Sequence, residues 1–441
     1  MPSKNLRNKE KKTKTEPRGF QTPKGMHDVL PMDQVWWERV GKVARDMAEF
    51  YGFSRIETPV MENLRLYEKG TGADTDIVQK EMYVIKTKGG DVLALRPEFT
   101  PGVMRAYVQH SLSRQRQPQK LYSIGPVFRH DNPQAGRLRQ FTQINLEIIG
   151  GQNDPIYDAQ VIIYFHHLIE ELKIKNAVLR MNSIGCKVCR PLYKRQLQNY
   201  YKNFEKKLCS DCGRRLKINP LRLLDCKREE CQEFKAKAPS ILDKLCVACT
   251  SHLKGVLEYL DEIGIAYQLD NLLVRGLDYY SRTVFEFFTE GAGTEAGAIA
   301  GGGRYDYLME SLGGRVTPAT GGACSIERLL YVMKAQEIKP PQKIPKKVFF
   351  IHVGEMAKKK SLRIIEILRS AGISVSESLG RDSLKAQLKS ADKEGIEMAL
   401  ILGQRELFEE SIIVRDLRNS LQETVSLSKL VEEIRKRLRA Q

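Results

Sequence analysis

The placement of cysteines constrains the fold of this chain more than any other feature of its sequence. Eight of its nine cysteines lie between Cys186 and Cys249. They form four close pairs: Cys186 with Cys189, Cys209 with Cys212, Cys226 with Cys231, and Cys246 with Cys249. In a reducing compartment such spacing favours metal ligands over disulfides. Eight thiolates would complete two tetrahedral zinc sites, with His252 able to replace one ligand; the pairing stays open, and free buried thiols are the alternative.

Length and charge limit the classes of protein that remain. The chain has 441 residues, enough for roughly three domains, which excludes a small stapled scaffold. Lys and Arg total 72 against 54 Asp and Glu, a net charge of +18. This balance favours a polyanionic partner such as nucleic acid, although a lysine-rich solvated face would give the same balance. The sequence contains neither a transmembrane-length apolar run nor a secretory signal, so a cytoplasmic location without membrane contact is expected.

Shifts in composition divide the chain into predicted segments. Residues 1–19 are expected to form a disordered basic arm, either a solubilising tail or an arm that contacts nucleic acid. Residues 20–335 are expected to form a core with a cysteine-rich helical insertion at 186–255. Residues 336–347, which include three prolines, predict a linker. Residues 348–441 alternate short apolar strands with amphipathic helices, which predicts a small α/β domain with a largely parallel sheet.

Within the core, a helix is predicted at 35–51 and a long hairpin from strands at 120–128 and 141–149. Arg129 ends the first of these strands, and its planar guanidinium could clamp a phosphate or carboxylate, although strand-end arginines commonly form surface ion pairs. Arg275 and Arg328 lie in apolar, glycine-bounded segments, where a charge needs an anionic partner. The glycines at 301–303 predict either a close approach to a ligand or a plain turn.

Several segments resemble the histidyl-tRNA synthetases, a family of class II aminoacyl-tRNA synthetases, from about Gly25 to the C terminus. The most specific are residues 273–286 (LVRGLDYYSRTVFE) and 300–306 (AGGGRYD). Five further segments resemble characteristic parts of the family. They are residues 24–31 (its start), 57–59 (motif 1), 95–100 (LRPEFT, the amino-acid-binding segment), 128–143 (motif 2) and 321–329 (GGACSIERL, motif 3). The resemblance implies a mixed α/β and α+β protein. It would have an antiparallel-sheet catalytic domain, a cysteine-rich helical insertion and a C-terminal α/β anticodon-binding domain.

The resemblance also implies a reaction: ATP-dependent ligation of histidine to tRNA(His) through a histidyl-adenylate, with release of AMP and diphosphate. The amino-acid carboxylate is already a nucleophile. Catalysis would therefore rest on positioning and on neutralising phosphate charge, shared with Mg2+. A homodimer is implied as well. The alternative is a catalytically silent relative, such as the histidine-sensing regulatory subunit of ATP phosphoribosyltransferase or a tRNA-sensing protein.

The same resemblance implies roles for individual residues. Arg129 would bind the α-phosphate, Arg328 the γ-phosphate, and Arg275 the reacting carboxylate and phosphate, while Asp131 would lie near the adenine amino group. The histidine ammonium would be held by Glu98, Thr100 and Gln143, and the imidazole by Glu147 and Tyr280, with Tyr279 and Tyr305 lining the pocket. A carboxylate and a hydroxyl suit a ring with one donor and one acceptor nitrogen. Amino acids lacking those groups would leave buried polar atoms unpaired.

Four positions depart from the usual family pattern. Phe99 replaces a glycine at the ammonium end, Cys324 and Ser325 replace an aliphatic residue and a glycine beside ATP, and Asn132 replaces an arginine near the tRNA acceptor end.

The cysteine-rich insertion is strongly basic, with eleven Lys or Arg against six acids between residues 200 and 237. We therefore expect it to hold structural zinc and to contact the acceptor arm of tRNA.

Overall fold

The computed structural model describes residues 19–72, 75–339 and 347–440. The chain divides into two compact units, Met1–Pro340 and Pro341–Gln441. The predicted basic arm lies outside the described residues except for Gly19, as does most of the predicted linker. None of the helices in the described part of the chain combines the length and the apolar character needed to cross a membrane.

A mainly antiparallel sheet forms the centre of the first unit. The unit contains strands β1 (Ser54–Arg55), β2 (Met61–Asn63), β3 (Val84–Lys86), β4 (Val92–Leu95), β5 (Gln119–Phe128), β6 (Gln140–Ile149), β7 (Ala177–Ser183), β8 (Tyr267–Leu269), β9 (Ser281–Thr289), β10 (Ala300–Arg304) and β11 (Ala319–Ser325). Eight of them form one sheet in the order β1-β5-β6-β11-β10-β9-β7-β8, and β2-β4-β3 form a small second sheet. In the large sheet only the two edge pairs, β1 with β5 and β7 with β8, are parallel. The predicted antiparallel sheet is confirmed.

Helices cover the sheet and complete the core of the first unit. They are α1 (Pro31–Phe50), α2 (Leu64–Thr71), α3 (Thr100–Gln109), α4 (Ile156–Glu171), α5 (Arg190–Lys202), α6 (Ser210–Ile218), α7 (Glu229–Ala236), α8 (Val247–Glu262), α9 (Leu308–Ser311) and α10 (Ile326–Ala335). The helix predicted at 35–51 is α1, which buries Val40, Ala44 and Ala48 on one face because these residues are four apart. Residues of α1, α4, α8 and α10 pack with β6, β7, β9 and β11 in the largest core cluster.

The predicted hairpin is confirmed, since β5 and β6 pair along their whole length, from Gln119 with Ile149 to Phe128 with Gln140. Of the two alternatives for the glycines at 301–303, the plain turn is wrong, because these residues form the middle of strand β10. Glycine is required there by a neighbouring strand. A Cβ atom on Gly302 would lie 2.5 Å from the Cα of Gly322 on β11.

The cysteine-rich segment is helical, as predicted, and lies between β7 and β8. It contains α5 to α7 and the start of α8, with a 3-10 turn at Pro220–Asp225. Tyr193, Leu197 and Tyr201 lie four residues apart on α5 and are fully buried, so α5 contributes one apolar stripe to the insertion core. This core is continuous with the one beneath α3 and the β5-β6 hairpin.

The second unit has a five-stranded sheet in the order β13-β12-β14-β15-β16. Its strands are β12 (Lys347–His352), β13 (Ser374–Glu377), β14 (Met398–Leu402), β15 (Ser411–Asp416) and β16 (Gln422–Ser426), and its helices are α11 (Glu355–Ser370), α12 (Leu384–Lys393), α13 (Gln404–Phe408) and α14 (Leu430–Ala440). The predicted α/β domain is confirmed. The expectation of a largely parallel sheet holds only for β13, β12 and β14. Strands β15 and β16 are antiparallel because the connection between them is too short for a parallel crossover.

Candidate active site

A cavity of about 920 Å³ opens in the first unit beside the β5-β6 hairpin. Strand β9, strand β11 and the segment at 272–277 form one side of the cavity, and the cysteine-rich insertion forms another. The residues predicted to bind ATP or histidine that line it are Arg129, Asp131, Gln143, Arg275 and Arg328. The fold therefore brings together side chains from the hairpin and from two segments, around Arg275 and Arg328, that are far from it in the sequence.

Two of the three arginines face the cavity without a carboxylate partner. The Nε of Arg129 donates to the carbonyl oxygen of Pro97 at 2.9 Å, and the Nε of Arg328 donates to that of Gly136 at 2.9 Å. Within the described ranges neither guanidinium forms an ion pair with an acidic side chain. Burial, and then the positive charges of Arg137 and Arg129, lower the pKa of Arg328 to about 10. A cluster of partly buried cations without counterions is a site for a polyanion.

Arg275 is held differently, because it forms an ion pair with Glu286 on β9. Burial alone would lower the pKa of Arg275, but the Glu286 carboxylate raises it above the usual value. The guanidinium carbon also lies 5.6 Å from the centre of the Tyr280 ring. Arg275 thus connects the cavity to the tyrosines behind it.

Behind these arginines lie two buried carboxylates. Glu98 accepts hydrogen bonds from the Thr71 hydroxyl at 2.9 Å and from the Tyr279 hydroxyl at 2.8 Å. Burial raises the pKa of Glu98, against the opposing hydrogen bond from Tyr279 and the charge of Arg129. Neither Glu98 nor Glu147 is among the residues that line the cavity.

Glu147 on β6 is the more deeply buried of the two, with 0% of its surface exposed. It accepts hydrogen bonds from the hydroxyl of Thr100 at 2.6 Å, from the side-chain amide of Asn145 at 3.0 Å, and from the hydroxyl of Tyr305. Burial nevertheless raises the pKa of Glu147 to about 7, and the nearby charge of Glu98 contributes in the same direction. Two buried acids that lie near each other suit a ligand rich in N–H donors or positive charge.

The remaining residues predicted to bind histidine lie in the same region. Tyr279, Tyr280 and Tyr305 pack against one another, with ring centroids 4.6 to 5.9 Å apart. The Oε1 atom of Gln143 is buried and has no hydrogen-bond partner in the described part of the chain. An orphaned acceptor on a cavity residue points to a donor on the ligand. Thr100 bonds to Glu147, on the side predicted for the imidazole.

Asp131 lies at the mouth of the cavity, where its carboxylate is 3.4 Å from Arg137. Asn132 follows it in the exposed hairpin loop.

The unusual residues beside the site each have a structural place. The Phe99 ring is buried, with the guanidinium carbon of Arg96 4.1 Å from its centre. The Ser325 hydroxyl caps α10 by accepting from the backbone N–H of Arg328 at 3.3 Å. Cys324 is buried, which raises the pKa of its thiol, and it also lines the cavity.

Some residues important to the site are absent from the sequence predictions. Glu286, the partner of Arg275, stands at the end of the most specific matching segment, and that position was its only signal. Glu327 accepts from the backbone N–H of Thr142 at 2.6 Å and so ties α10 to the hairpin. Arg304 is fully buried against Asp158. The signals for this arginine were its place in residues 300–306, one of the two most specific matching segments, and its apolar, glycine-rich surrounding.

The eight cysteines form two groups. Cys186, Cys189, Cys246 and Cys249 form one, which we call the base cluster; Cys209, Cys212, Cys226 and Cys231 form the other, the wall cluster. In each group all four sulfurs lie within 4.8 Å of one another, so either group could hold a metal ion. The prediction that His252 could replace a thiolate ligand is wrong. Its Nε2 lies 3.2 Å from a carboxylate oxygen of Asp158, and its Nδ1 lies 3.2 Å from an Arg282 nitrogen.

In this antiparallel sheet, the β5-β6 hairpin and helix α10 place arginines in one cavity. This arrangement defines a catalytic domain of class II aminoacyl-tRNA synthetases. Comparison with protein families makes this specific. Residues 25–329 match the family described as histidyl-tRNA synthetase, and residues 347–437 match an anticodon binding domain. The chain belongs to the histidyl-tRNA synthetase family.

Individual relatives agree with this assignment over nearly the whole chain. A histidine–tRNA ligase of Dehalococcoides mccartyi is 44% identical over 95% of this chain and 100% of that protein. One from Desulforamulus reducens is 42% identical over 94% of this chain and 99% of that protein. The solved structure of apo histidyl-tRNA synthetase from S. aureus has a TM-score of 0.79 at 31% identity, covering 94% of this chain and 100% of that chain.

Proposed function

We propose that this protein ligates histidine to tRNA(His) at the expense of ATP, through a histidyl-adenylate, and releases AMP and diphosphate. The observation that carries the proposal is that a cavity lined by arginines lies beside a pair of buried carboxylates. Arg129 and Arg328 face the cavity without carboxylate partners, while Glu98 and Glu147 lie buried directly behind it. The arginines suit a triphosphate, and the buried carboxylates suit a basic amino acid.

In the first step the histidine carboxylate attacks the α-phosphorus of ATP. An acyl C–O–P bond forms, the bond between the α-phosphorus and the bridging oxygen breaks, and diphosphate leaves with the electron pair. The carboxylate enters already ionised, so no base is needed, and the barrier falls through orientation and charge neutralisation. We assign Arg129 and Arg275 to the reacting phosphate and carboxylate, and Arg328 to the γ-phosphate.

The buried acids would select the amino acid. We assign Glu98, Thr100 and Gln143 to the ammonium group, and Glu147 and Tyr280 to the imidazole, with Tyr279 and Tyr305 completing the walls. The orphaned Oε1 of Gln143 supports this assignment, because an ammonium N–H would satisfy it. An apolar side chain would leave Glu147 and its neighbours without partners, which strongly disfavours the wrong amino acid.

Magnesium would enter with ATP. Carboxylates are the ligands that Mg2+ prefers, and Glu81 and Glu286 are two that line the cavity. Held there, the ion would share the neutralisation of phosphate charge with the arginines. Asp131, at the cavity mouth, is assigned to the adenine amino group.

The cysteine clusters fit structural zinc. Four thiolates around Zn2+ at about 2.3 Å form a tetrahedron with edges of about 3.8 Å. The nearest sulfur pairs of the base cluster are 3.7 and 3.8 Å apart, against about 2 Å in a disulfide. We further infer a homodimer that works in the cytoplasm. We also infer that the basic insertion and the second unit contact tRNA.

The silent alternative is not supported by any feature of the chain. It predicts loss of ATP-site arginines and of the C-terminal domain, whereas both are present here. The deciding experiment is histidine-dependent exchange of labelled pyrophosphate into ATP, with the other amino acids as controls. Exchange is expected in the presence of histidine and not in the presence of any other amino acid. Absence of exchange from folded protein with magnesium would contradict the proposed function.

A further inference from the structure

The wall cluster borders the candidate active site, which a purely structural metal site has no need to do. Cys209 and Cys226 both line the cavity, whereas no cysteine of the base cluster does. Cys212, Cys226 and Cys231 are buried and Cys209 is partly buried. The four thiols therefore stand between the insertion core and the space that we assign to ATP.

The geometry of the wall cluster matches a tetrathiolate ion site. The sulfurs of Cys209 and Cys226 are 3.9 Å apart, close to the tetrahedral edge of about 3.8 Å. Backbone N–H groups also point at the sulfurs: that of Cys212 donates to Cys209, and that of Cys209 donates to Cys231, each at 3.4 Å. Such donors stabilise thiolate charge, and a cluster of neutral thiols has no need of them.

The elements that carry these cysteines also carry two arginines that bind one carboxylate. Arg215 on α6 and Arg222 on the following 3-10 turn lie 2.8 and 2.7 Å from the same oxygen of Asp76. Both arginine side chains are largely buried, with 17% and 8% of their surfaces exposed. The Asp76 carboxylate therefore joins the insertion to the core of the unit, beside the cavity.

Asp76 is in turn connected to the catalytic hairpin. It immediately precedes the π-helical turn Ile77–Glu81. The last carbonyl of that turn, on Glu81, accepts from the backbone N–H of His130 at 2.6 Å. His130 is the neighbour of Arg129, and the Glu81 side chain lines the same cavity. A shift of Asp76 would thus be transmitted to the arginine that we assign to the α-phosphate.

We propose that the wall cluster is a zinc site whose ion holds the cavity wall in place and, through Asp76, positions Arg129 for ATP. The proposal rests on the proposed function only for the identity of the ligand, since it concerns a nucleoside triphosphate at this cavity. Zinc serves here without redox chemistry or an open coordination position, because four thiolates close the site. Asp76, Arg215 and Arg222 are positioning residues in this account.

The test compares the parent protein with Cys209→Ser/Cys226→Ser, Asp76→Asn and Cys324→Ser. Two readouts are used: zinc per chain by mass spectrometry after dialysis, and the Kd for MgATP by calorimetry, which needs no turnover. The parent and Cys324→Ser are expected to hold two zinc ions, and the double variant one. The Kd for MgATP should rise at least tenfold in the double variant. It should rise similarly in Asp76→Asn, which keeps both ions.

Each other outcome counts against a defined part of the proposal. A parent that holds no more zinc than the double variant would overturn the wall site. Loss of one ion with an unchanged Kd would overturn the positioning role. If the double variant does not fold, Asp76→Asn decides: an unchanged Kd overturns the link. A parent with two ions and tight MgATP but no histidine-dependent exchange would instead contradict the proposed function and leave this proposal standing.

Discussion

Replacing Glu147 with glutamine tests whether the chain keeps a buried acid for its ligand at the expense of stability. The pKa of Glu147 is raised from 4.5 to about 7 by burial. The folded state therefore binds a proton that the unfolded state has released between these values. Stability from this group is present at low pH and is lost as pH rises through 7. With 1.36 kcal/mol per pKa unit, the loss between pH 5 and pH 8 is about 2.5 kcal/mol.

The variant Glu147→Gln removes this titration and keeps the shape of the side chain. Its amide oxygen can accept from Thr100 and Asn145, and the Tyr305 hydroxyl can rotate to accept from its amide nitrogen. We therefore expect the variant to gain on the parent by about 2.5 kcal/mol from pH 5 to pH 8. The kcat/KM of the variant for histidine should fall about 100-fold or more, because the acceptor for the imidazole N–H is lost.

The assay is urea unfolding at several pH values, followed by tryptophan fluorescence. The chain's two tryptophans, Trp36 and Trp37, both lie on α1 and pack against the core of the first unit, so the signal reports that unit. Groups that titrate equally in both proteins cancel in the difference. A difference between variant and parent that stays flat from pH 5 to pH 8 would refute the reasoning, whatever happens to activity.

Three further predictions concern the arginines and the glycine strand. Arg275→Ala should slow adenylate formation about 100-fold while tRNA affinity changes less than about threefold, as judged by exchange kinetics and filter binding; equal losses would contradict its role. Arg328→Lys keeps the charge but loses the fork, so the KM for ATP should rise about tenfold with the KM for histidine unchanged. Gly302→Ala should destabilise the first unit by about 3 kcal/mol or more, whereas Gly213→Ala, where a Cβ meets nothing within 4 Å, should be neutral or stabilising by up to about 1 kcal/mol.

Hydrophobic periodicity predicted helices and strands well where the apolar residues of a segment recur with a clear spacing. The helix at 35–51 and the hairpin strands have strong periodicity, and their observed bounds, Pro31–Phe50, Gln119–Phe128 and Gln140–Ile149, differ from the predictions by a few residues. The glycines at 301–303 carry no such pattern. They form a strand because they pair with β9 and β11 on either side, and they are glycines because those backbones leave no room for a larger residue. Both facts are properties of the neighbouring strands.

The candidate site was predicted through resemblance, and the individual residue roles remain predictions. What the sequence could not provide is the set of contacts across long separations. Glu98 and Tyr279 bond over 181 residues, and Asp76 and Arg222 over 146. The spacing of the cysteines left their pairing open. In the fold, the first pair lies beside the last pair in the base cluster, and the two middle pairs form the wall cluster. His252 was wrongly proposed as a metal ligand because the sequence does not show that the fold places the buried carboxylate of Asp158 beside it.

The central claim is that the arginines of the cavity and the two buried carboxylates behind it make this chain a histidine-activating ligase. The most direct measurement is transfer of labelled histidine to a tRNA(His) transcript by the full-length protein with ATP and magnesium. The account predicts charging of tRNA(His) with histidine, and none with other amino acids or with a tRNA for another amino acid. Binding of histidine and ATP without any transfer to tRNA(His) would contradict it.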